Sequence, residues 1–340
     1  MKLRKLVILP FLFLTVQLFA QIGGESTYEF LNLTNSARMA ALGGNQIALN
    51  DPLDLNVAYN NPALLNAEMA GTILANYVNY IADVNYGYAA YALNTEKIGP
   101  LSFGIHYINY GEFIKADENG TQDGTFHAAE YALLASWSHL AGPVKLGFTV
   151  KPILSSFESY QSIGIAFDLG AAYTSQNELN TIGLVIRNVG TQITTYYENG
   201  DRESIPLDIQ FGISKRLAHA PFRLSATLQH MQRWKLAQAE EVDNGYETTI
   251  EEDNFTKAFM RHMVLGVELL PSPNFNIRAG YNFQRRQELM FNDKKSTVGF
   301  SWGFGFQIKR FRIDYGSARY HLSSSSNHFS IAFRLNNNLR

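Results

Sequence analysis

A chain of 340 residues with 28 Lys+Arg against 30 Asp+Glu carries a net charge of −2, and its basic residues form no cluster of the kind that binds nucleic acid. It contains no cysteine, which excludes disulfides, iron–sulfur clusters, cysteine–zinc sites and a lipoprotein reading. At 17% charged and 13% aromatic it is poor in charge and rich in rings, as suits a surface that partly faces lipid.

Residues 1–20 read as a cleavable signal peptide. Lys2, Arg4 and Lys5 form a positive start, Leu6 to Val16 an apolar stretch, and Ala20 a small residue before Gln21. No later run approaches the ~18 apolar residues of a transmembrane helix.

Residues 21–70 lack strand alternation and predict a hatch, or plug, inside or beneath a strand-rich region that begins at 71. Ser36, Ala37, Arg38 and the residues to Leu42 predict a short helix, with Thr34 to Ser36 able to cap it and Gly43 and Gly44 ending it. Asn61, Pro62 and Ala63 predict a second start, with Asn61 as N-cap, Pro62 in the first helical position and Gly71 as the stop.

From 71 to 335 the hydrophobicity has period two. The predicted strands are 71–80, 84–94, 99–110, 127–139, 142–154, 161–174, 180–189, 206–216, 220–230, 257–270, 274–285, 296–308, 310–319 and 326–335, with 336–340 as a C-terminal tail. In one of them Val298, Phe300, Trp302, Phe304, Phe306 and Ile308 alternate with Gly299, Ser301, Gly303, Gly305 and Gln307. Strands of ~9–11 residues suit a tilted crossing of a bilayer, and closure into a barrel leaves no backbone group unpaired in lipid. A secreted β-sandwich also alternates, but its strands are usually ~5–6 residues long.

Tight turns at 141–143, 220–221, 271–274 and 309–310 alternate with long loops at 111–126, 190–205, 231–256 and 286–295. The expectation is an all-β fold: a transmembrane antiparallel β-barrel of about fourteen strands with a small helical hatch. It would sit in a Gram-negative outer membrane, with long loops extracellular and both termini periplasmic. Tyr80, Tyr107, Tyr110, Tyr160, Tyr281, Phe283 and Tyr320 would form an outer aromatic girdle. Alternation places Lys145, Lys151, Asp168, Arg223, Glu268, Arg278, Arg312, Asp314 and Arg334 in the lumen. Their plain reading is a filled interior of paired charges.

No catalytic constellation, metal spacing or cofactor motif stands out. The eight histidines form no His-Glu-x-x-His pair, and Gly-x-Ser-x-Gly is absent as a nucleophile elbow. Residues 119–130 match calcium-loop spacing only in part and read as a hairpin tip. The longest loop carries Glu240, Glu241, Asp243, Glu247, Glu251, Glu252 and Asp253. These are a solvated acidic face by default and otherwise a dock for a partner.

Three stretches carry a family resemblance: 28–33, 36–44 (Ser-Ala-Arg-Met-Ala-Ala-Leu-Gly-Gly) and 60–66 (Asn-Asn-Pro-Ala-Leu-Leu-Asn). An Asn-Pro-Ala turn just before the first strand of a fourteen-stranded barrel resembles the FadL-like outer-membrane family. The three stretches in this order look like its PorV/PorQ branch in Bacteroidota, and most like PorQ of the type IX secretion system. The resemblance implies a scaffold in outer-membrane lipid that anchors a surface complex with PorU, PorV and PorZ. That complex processes secreted cargo and attaches it to anionic lipopolysaccharide. The alternative is a FadL-like route for hydrophobic small molecules, although the ligand residues of such transporters do not map onto this chain.

Overall fold

The computed structural model describes residues 26–81, 84–116, 121–198, 200–236, 241–243, 248–250, 254–289, 297–320 and 324–335. The expected signal peptide and the tail at 336–340 lie outside them.

Fourteen strands close into one antiparallel barrel. In chain order they are β1 (Thr72–Asn79), β2 (Asn85–Thr95), β3 (Gly99–Ala116), β4 (Gln122–Ala141), β5 (Val144–Phe157), β6 (Tyr160–Thr174), β7 (Asn180–Thr194), β8 (Asp208–Arg216) and β9 (Phe222–Leu228). After a separate two-stranded hairpin, β10 (Glu241–Asp243) with β11 (Thr248–Ile250), come β12 (Met263–Ser272), β13 (Phe275–Asn282), β14 (Phe300–Ile308), β15 (Phe311–Arg319) and β16 (Ser325–Arg334). Each barrel strand pairs with its neighbours in sequence, and β1 closes on β16 from Thr72 opposite Arg334 to Asn79 opposite Asn327.

Closure follows from the two-faced strands. β1 alternates strictly between buried and exposed, and Ile73, Phe103, Leu133, Trp302, Ile313 and Ile331 all point outward. An apolar outer belt with every ladder paired is what hydrocarbon requires of a strand wall. No described helix is long and apolar enough to cross a membrane.

Several boundaries differ from the sequence expectation. Residues 111–116 and 122–126 are strand rather than loop. Gly111, at φ 91°, forms a bulge that lets pairing resume at Glu112 opposite His127. β7 likewise runs on to Thr194. The expected strand at 257–270 begins as a helix, α3 (Phe255–Arg261), because the Asn254 side chain accepts the Lys257 N–H. The strand expected to reach 285 stops at Asn282, which caps α4 (Phe283–Glu288) by accepting the Arg285 N–H. Val298 turns inward and is fully buried rather than lipid-facing. The alternation of loop length is also looser than expected, since the links at 80–84 and 158–159 are short yet stand at the long-loop end.

Candidate functional site

The lumen is occupied by the chain's own N-terminal segment. Ser26 pairs with Ser204 at the long-loop end, where the Thr27 N–H donates to the Ser204 carbonyl at 2.9 Å. The described chain therefore starts at the end opposite to that at which β16 finishes. The segment threads the barrel before β1 begins, and the termini expected at the tight-turn end lie outside the described residues. From Ser26 it runs through a 3-10 turn (Glu29–Asn32), α1 (Ala37–Ala41), α2 (Asn56–Asn60) and two further 3-10 turns (Pro62–Leu64 and Ala67–Met69).

The motif residues fix this hatch to the wall. In α1 the Ala37 N–H donates to the Ser330 hydroxyl at 3.0 Å, and Ser301 donates to the Ala41 carbonyl at 3.1 Å. Ser36 takes the N-cap position without a side-chain capping bond, and its hydroxyl is buried. Gly43 and Gly44 leave the helix at φ 95° and 130°, where a side chain would be strained. The Gly43 carbonyl then accepts from Asn282 and Arg285. In the second motif the Asn61 side chain accepts the Ala63 N–H at 3.0 Å and donates to the Ile47 carbonyl at 2.9 Å. Pro62 and Ala63 press so closely on β5 that a Cβ at Gly147 would lie 2.2 Å from their backbone. That contact is why the wall carries glycine there.

Arg38 is the centre of an ionic cluster sealed between hatch and wall. Its guanidinium grips Glu268 of β12 with two bonds of 2.8 Å. It also reaches Asp51 at 2.7 Å and Asp54 at 2.8 Å on the hatch. Glu268 further binds Arg223 at 3.0 Å and Arg278 at 3.1 Å. Asp314 binds Arg278 at 2.7 Å and Arg312 at 3.0 Å, and Arg312 returns to Asp51 and Asp54, each at 3.3 Å. Four arginines thus meet four carboxylates. The hatch supplies one cation and two anions, and the wall three cations and two anions, so each side is the counter-charge of the other. Burial disfavours the charged form of Asp51, but Arg312 and Arg38 outweigh it and hold its carboxyl far below the usual carboxylate range. Burial works against charged Arg38 too, and Glu268, Asp51 and Asp54 more than restore it.

Across the lumen a smaller cluster joins Lys151 to Asp168 at 2.6 Å and to Asn188 at 2.9 Å. The hatch residue Tyr59 lies there, with the Arg187 guanidinium 5.5 Å from its ring and its hydroxyl 3.0 Å from the buried His106 ring nitrogen.

The inner face of β1 to β5 is different in kind. Leu74, Val78, Tyr86, Tyr88, Ala90, Ala92, Ile108, Ala132, Leu134 and Ile153 are buried in one cluster with Phe30, Leu31, Leu49, Leu55, Val57, Leu64 and Met69 of the hatch. The Tyr86 hydroxyl donates to the Thr34 carbonyl at 3.0 Å.

Sequence reasoning placed Glu268, Arg278, Arg312, Asp314 and Arg223 in the lumen, and they are there. It missed Asp51 and Asp54 as their partners and gave no role to Tyr59 or Tyr86. Three girdle residues turn inward instead: Tyr80 and Tyr320 face each other at 5.3 Å, Arg285 sits 4.1 Å from the Tyr320 ring, and Tyr110 donates to the buried Glu130. Glu130 lies inside the wall, so the partial calcium-loop match at 119–130 does not assemble. Among the described residues no group of three His, Cys, Asp or Glu is arranged to hold a metal ion. Of the acidic loop, Glu241 and Asp243 lie on the β10–β11 hairpin, while Glu240, Glu247, Glu251, Glu252 and Asp253 fall outside the described residues.

No protein-family model matches the chain, and no curated protein does. Among solved structures it is similar to the TodX monoaromatic hydrocarbon channel deltaS2 mutant, at TM-score 0.50 and 11% identity, covering 90% of this chain and 98% of that one. The CymD monoaromatic hydrocarbon channel has TM-score 0.48 and 13% identity over 88% of this chain and 96% of its own. A Pseudomonas aeruginosa FadL homologue has TM-score 0.47 and 12% identity over 89% and 98%. At these identities the likeness is one of fold: a closed fourteen-stranded antiparallel barrel like those of FadL-like outer-membrane proteins.

Proposed function

We propose that this chain is an outer-membrane barrel for the passage of small hydrophobic molecules, plugged by its own N-terminal segment. The apolar inner wall of β1 to β5 carries this reading. Outer-membrane barrels ordinarily turn polar residues to the lumen, whereas here Leu74, Val78, Ile108 and Leu134 line the inner face under the hatch, and displacement of the hatch would open an apolar path along them. The fold likeness to a protein described as a monoaromatic hydrocarbon channel supports the same direction. The test is uptake of a labelled monoaromatic hydrocarbon by cells with and without the intact gene. Slower uptake on deletion, restored by the wild-type chain, is expected; equal uptake in both strains removes the reading.

A second reading has its own observation behind it. The stretches resembling PorQ-like proteins are the ones that hold the hatch in place: Arg38 in the ionic cluster and Asn61, Pro62 and Ala63 against β5. In this reading the sealed barrel is a membrane anchor for PorU, PorV and PorZ, with the long loops extracellular and the acidic loop 231–256 as their dock. Affinity purification from detergent tests it. Recovery of those components, lost on shortening 231–256 while the barrel stays folded, supports the anchor; recovery of none of them removes it.

A further inference from the structure

The mouth of the lumen holds a buried acid that the chain leaves without a counter-charge. Asp54, Glu268 and Asp314 are paired with arginines, Asp168 with Lys151, and Asp208 faces His230 at 3.4 Å. Glu130 of β4, only 2% exposed, is the one buried carboxylate among the described residues that no cation reaches. Its Oε2 accepts the Tyr110 hydroxyl at 2.5 Å, but its Oε1 is buried with no hydrogen-bond partner. A carboxylate oxygen so placed is costly until a donor or cation comes to it.

The wall surrounds this acid with rings. Glu130 stands opposite Ile108 of β3 and Ser155 of β5. Two positions farther along the same inward faces, towards the long loops, come Tyr110 and Phe157. Their rings lie 5.5 Å apart, and Tyr196, in the loop after β7, lies 5.9 Å from Phe157. All three rings are half-buried. The neighbouring hydroxyls are spent on one another: Tyr196 donates to Ser155 at 2.6 Å and lies 3.3 Å from the Thr27 hydroxyl.

An acid beneath a cup of aromatic rings suits an organic cation. The rings attract positive charge through their faces, and the carboxylate fixes it by a charge-assisted bond. The unpartnered oxygen then chooses among cations. It needs an N–H, which a primary ammonium has and a quaternary one lacks. The rings favour an apolar, planar body beside that nitrogen. We infer that Tyr110, Phe157 and Tyr196 over Glu130 form a binding site for a primary aromatic amine, with its ammonium on Glu130 Oε1 and its ring against Phe157. The site stands whichever of the two functions the barrel serves.

Calorimetric titration of the full chain in a non-ionic detergent with benzylamine, benzyl alcohol and benzyltrimethylammonium tests it, with empty micelles as the blank. Saturable binding of benzylamine is expected, about tenfold or more tighter than benzyl alcohol, which lacks the charge. It should also exceed benzyltrimethylammonium, which lacks the N–H. Glu130→Gln should reduce benzylamine to the affinity of benzyl alcohol and leave benzyl alcohol unchanged, with heat-modifiable migration as in the wild type. Phe157→Leu should weaken both roughly two- to tenfold. No saturable binding of benzylamine, equal affinity for benzyl alcohol (as a neutral Glu130 would give), tighter binding of benzyltrimethylammonium, or wild-type affinity in Glu130→Gln would each overturn the proposal. The first three are read on the wild-type chain, so a variant that fails to fold leaves the test intact.

Discussion

Two stretches of the same inner wall hold the same plug by opposite means. Along β1 to β5 the hatch lies against side chains such as Leu74, Tyr86 and Leu134, and the attraction is burial of apolar surface, without direction or charge. Along β12 and β15 it is gripped by Glu268 and Arg312, which Arg223, Arg278 and Asp314 of the wall hold in place, and each bond has a set length and partner. The contrast separates adhesion from register. Apolar packing rewards any close fit, whereas a buried charge left without its counter-charge is severely penalised. The ionic side therefore determines where the hatch sits, and the apolar side adds adhesion without register.

The largest expected effect falls on the ionic side. Arg38→Met leaves Asp51, Asp54 and Glu268 short of a buried counter-charge and should cost about 3–5 kcal/mol of hatch docking. Because the chain has no cysteine, a single Ala40→Cys reporter can read this as thiol labelling, fast in the Arg38→Met background and slow without it. Leu74→Ala on the apolar side removes a side chain only 1% exposed and should cost about 2–4 kcal/mol. That loss should appear as a lower urea midpoint for the whole barrel, with smaller change in Ala40→Cys labelling. If the two substitutions release the hatch equally, the division of roles fails.

Tyr86→Phe is a smaller cut, removing one hydrogen bond to the Thr34 carbonyl for about 1 kcal/mol. A few-fold rise in Ala40→Cys labelling, well below that of Arg38→Met, is expected. The smallest expected response is to pH. A carboxyl whose pKa is lowered by folding, such as Asp51, stabilises fully above its unfolded value near ~3.9 and loses that stabilisation as pH falls toward its folded value. Hatch docking should thus be flat from neutral pH down to about 5 and weaken only below about 4. Pepsin cleavage within 26–71 at successively lower pH measures it, and a transition near neutrality would contradict the assignment.

How much of this was legible depends on range. Lipid-facing sets such as Phe311, Ile313 and Phe329, Ile331 were readable because one-sided burial imposes period two within a few residues. The hatch and its two motifs were readable from Pro62, Gly43 and Gly44, whose backbone limits are local. α3 and α4 were not foreseen, because apolar alternation around Phe259 and Phe283 outweighed the capping residues Asn254 and Asn282. The apolar inner wall was hidden because β1 is apolar on both faces, Ile73 and Tyr77 outside and Leu74 and Val78 inside. The latch was visible only in halves. Glu268 and Arg312 could be assigned to the lumen, but their pairing with Arg38 and Asp51 spans more than two hundred residues and leaves no mark on local pattern.

Single-channel recording in planar bilayers tests most directly whether the hatch closes this barrel and whether its ionic side keeps it closed. The wild-type chain should be electrically silent, and Arg38→Met, with unchanged heat-modifiable migration, should show discrete openings. A wild-type chain that conducts steadily, or a folded Arg38→Met variant as silent as the wild type, would contradict the account.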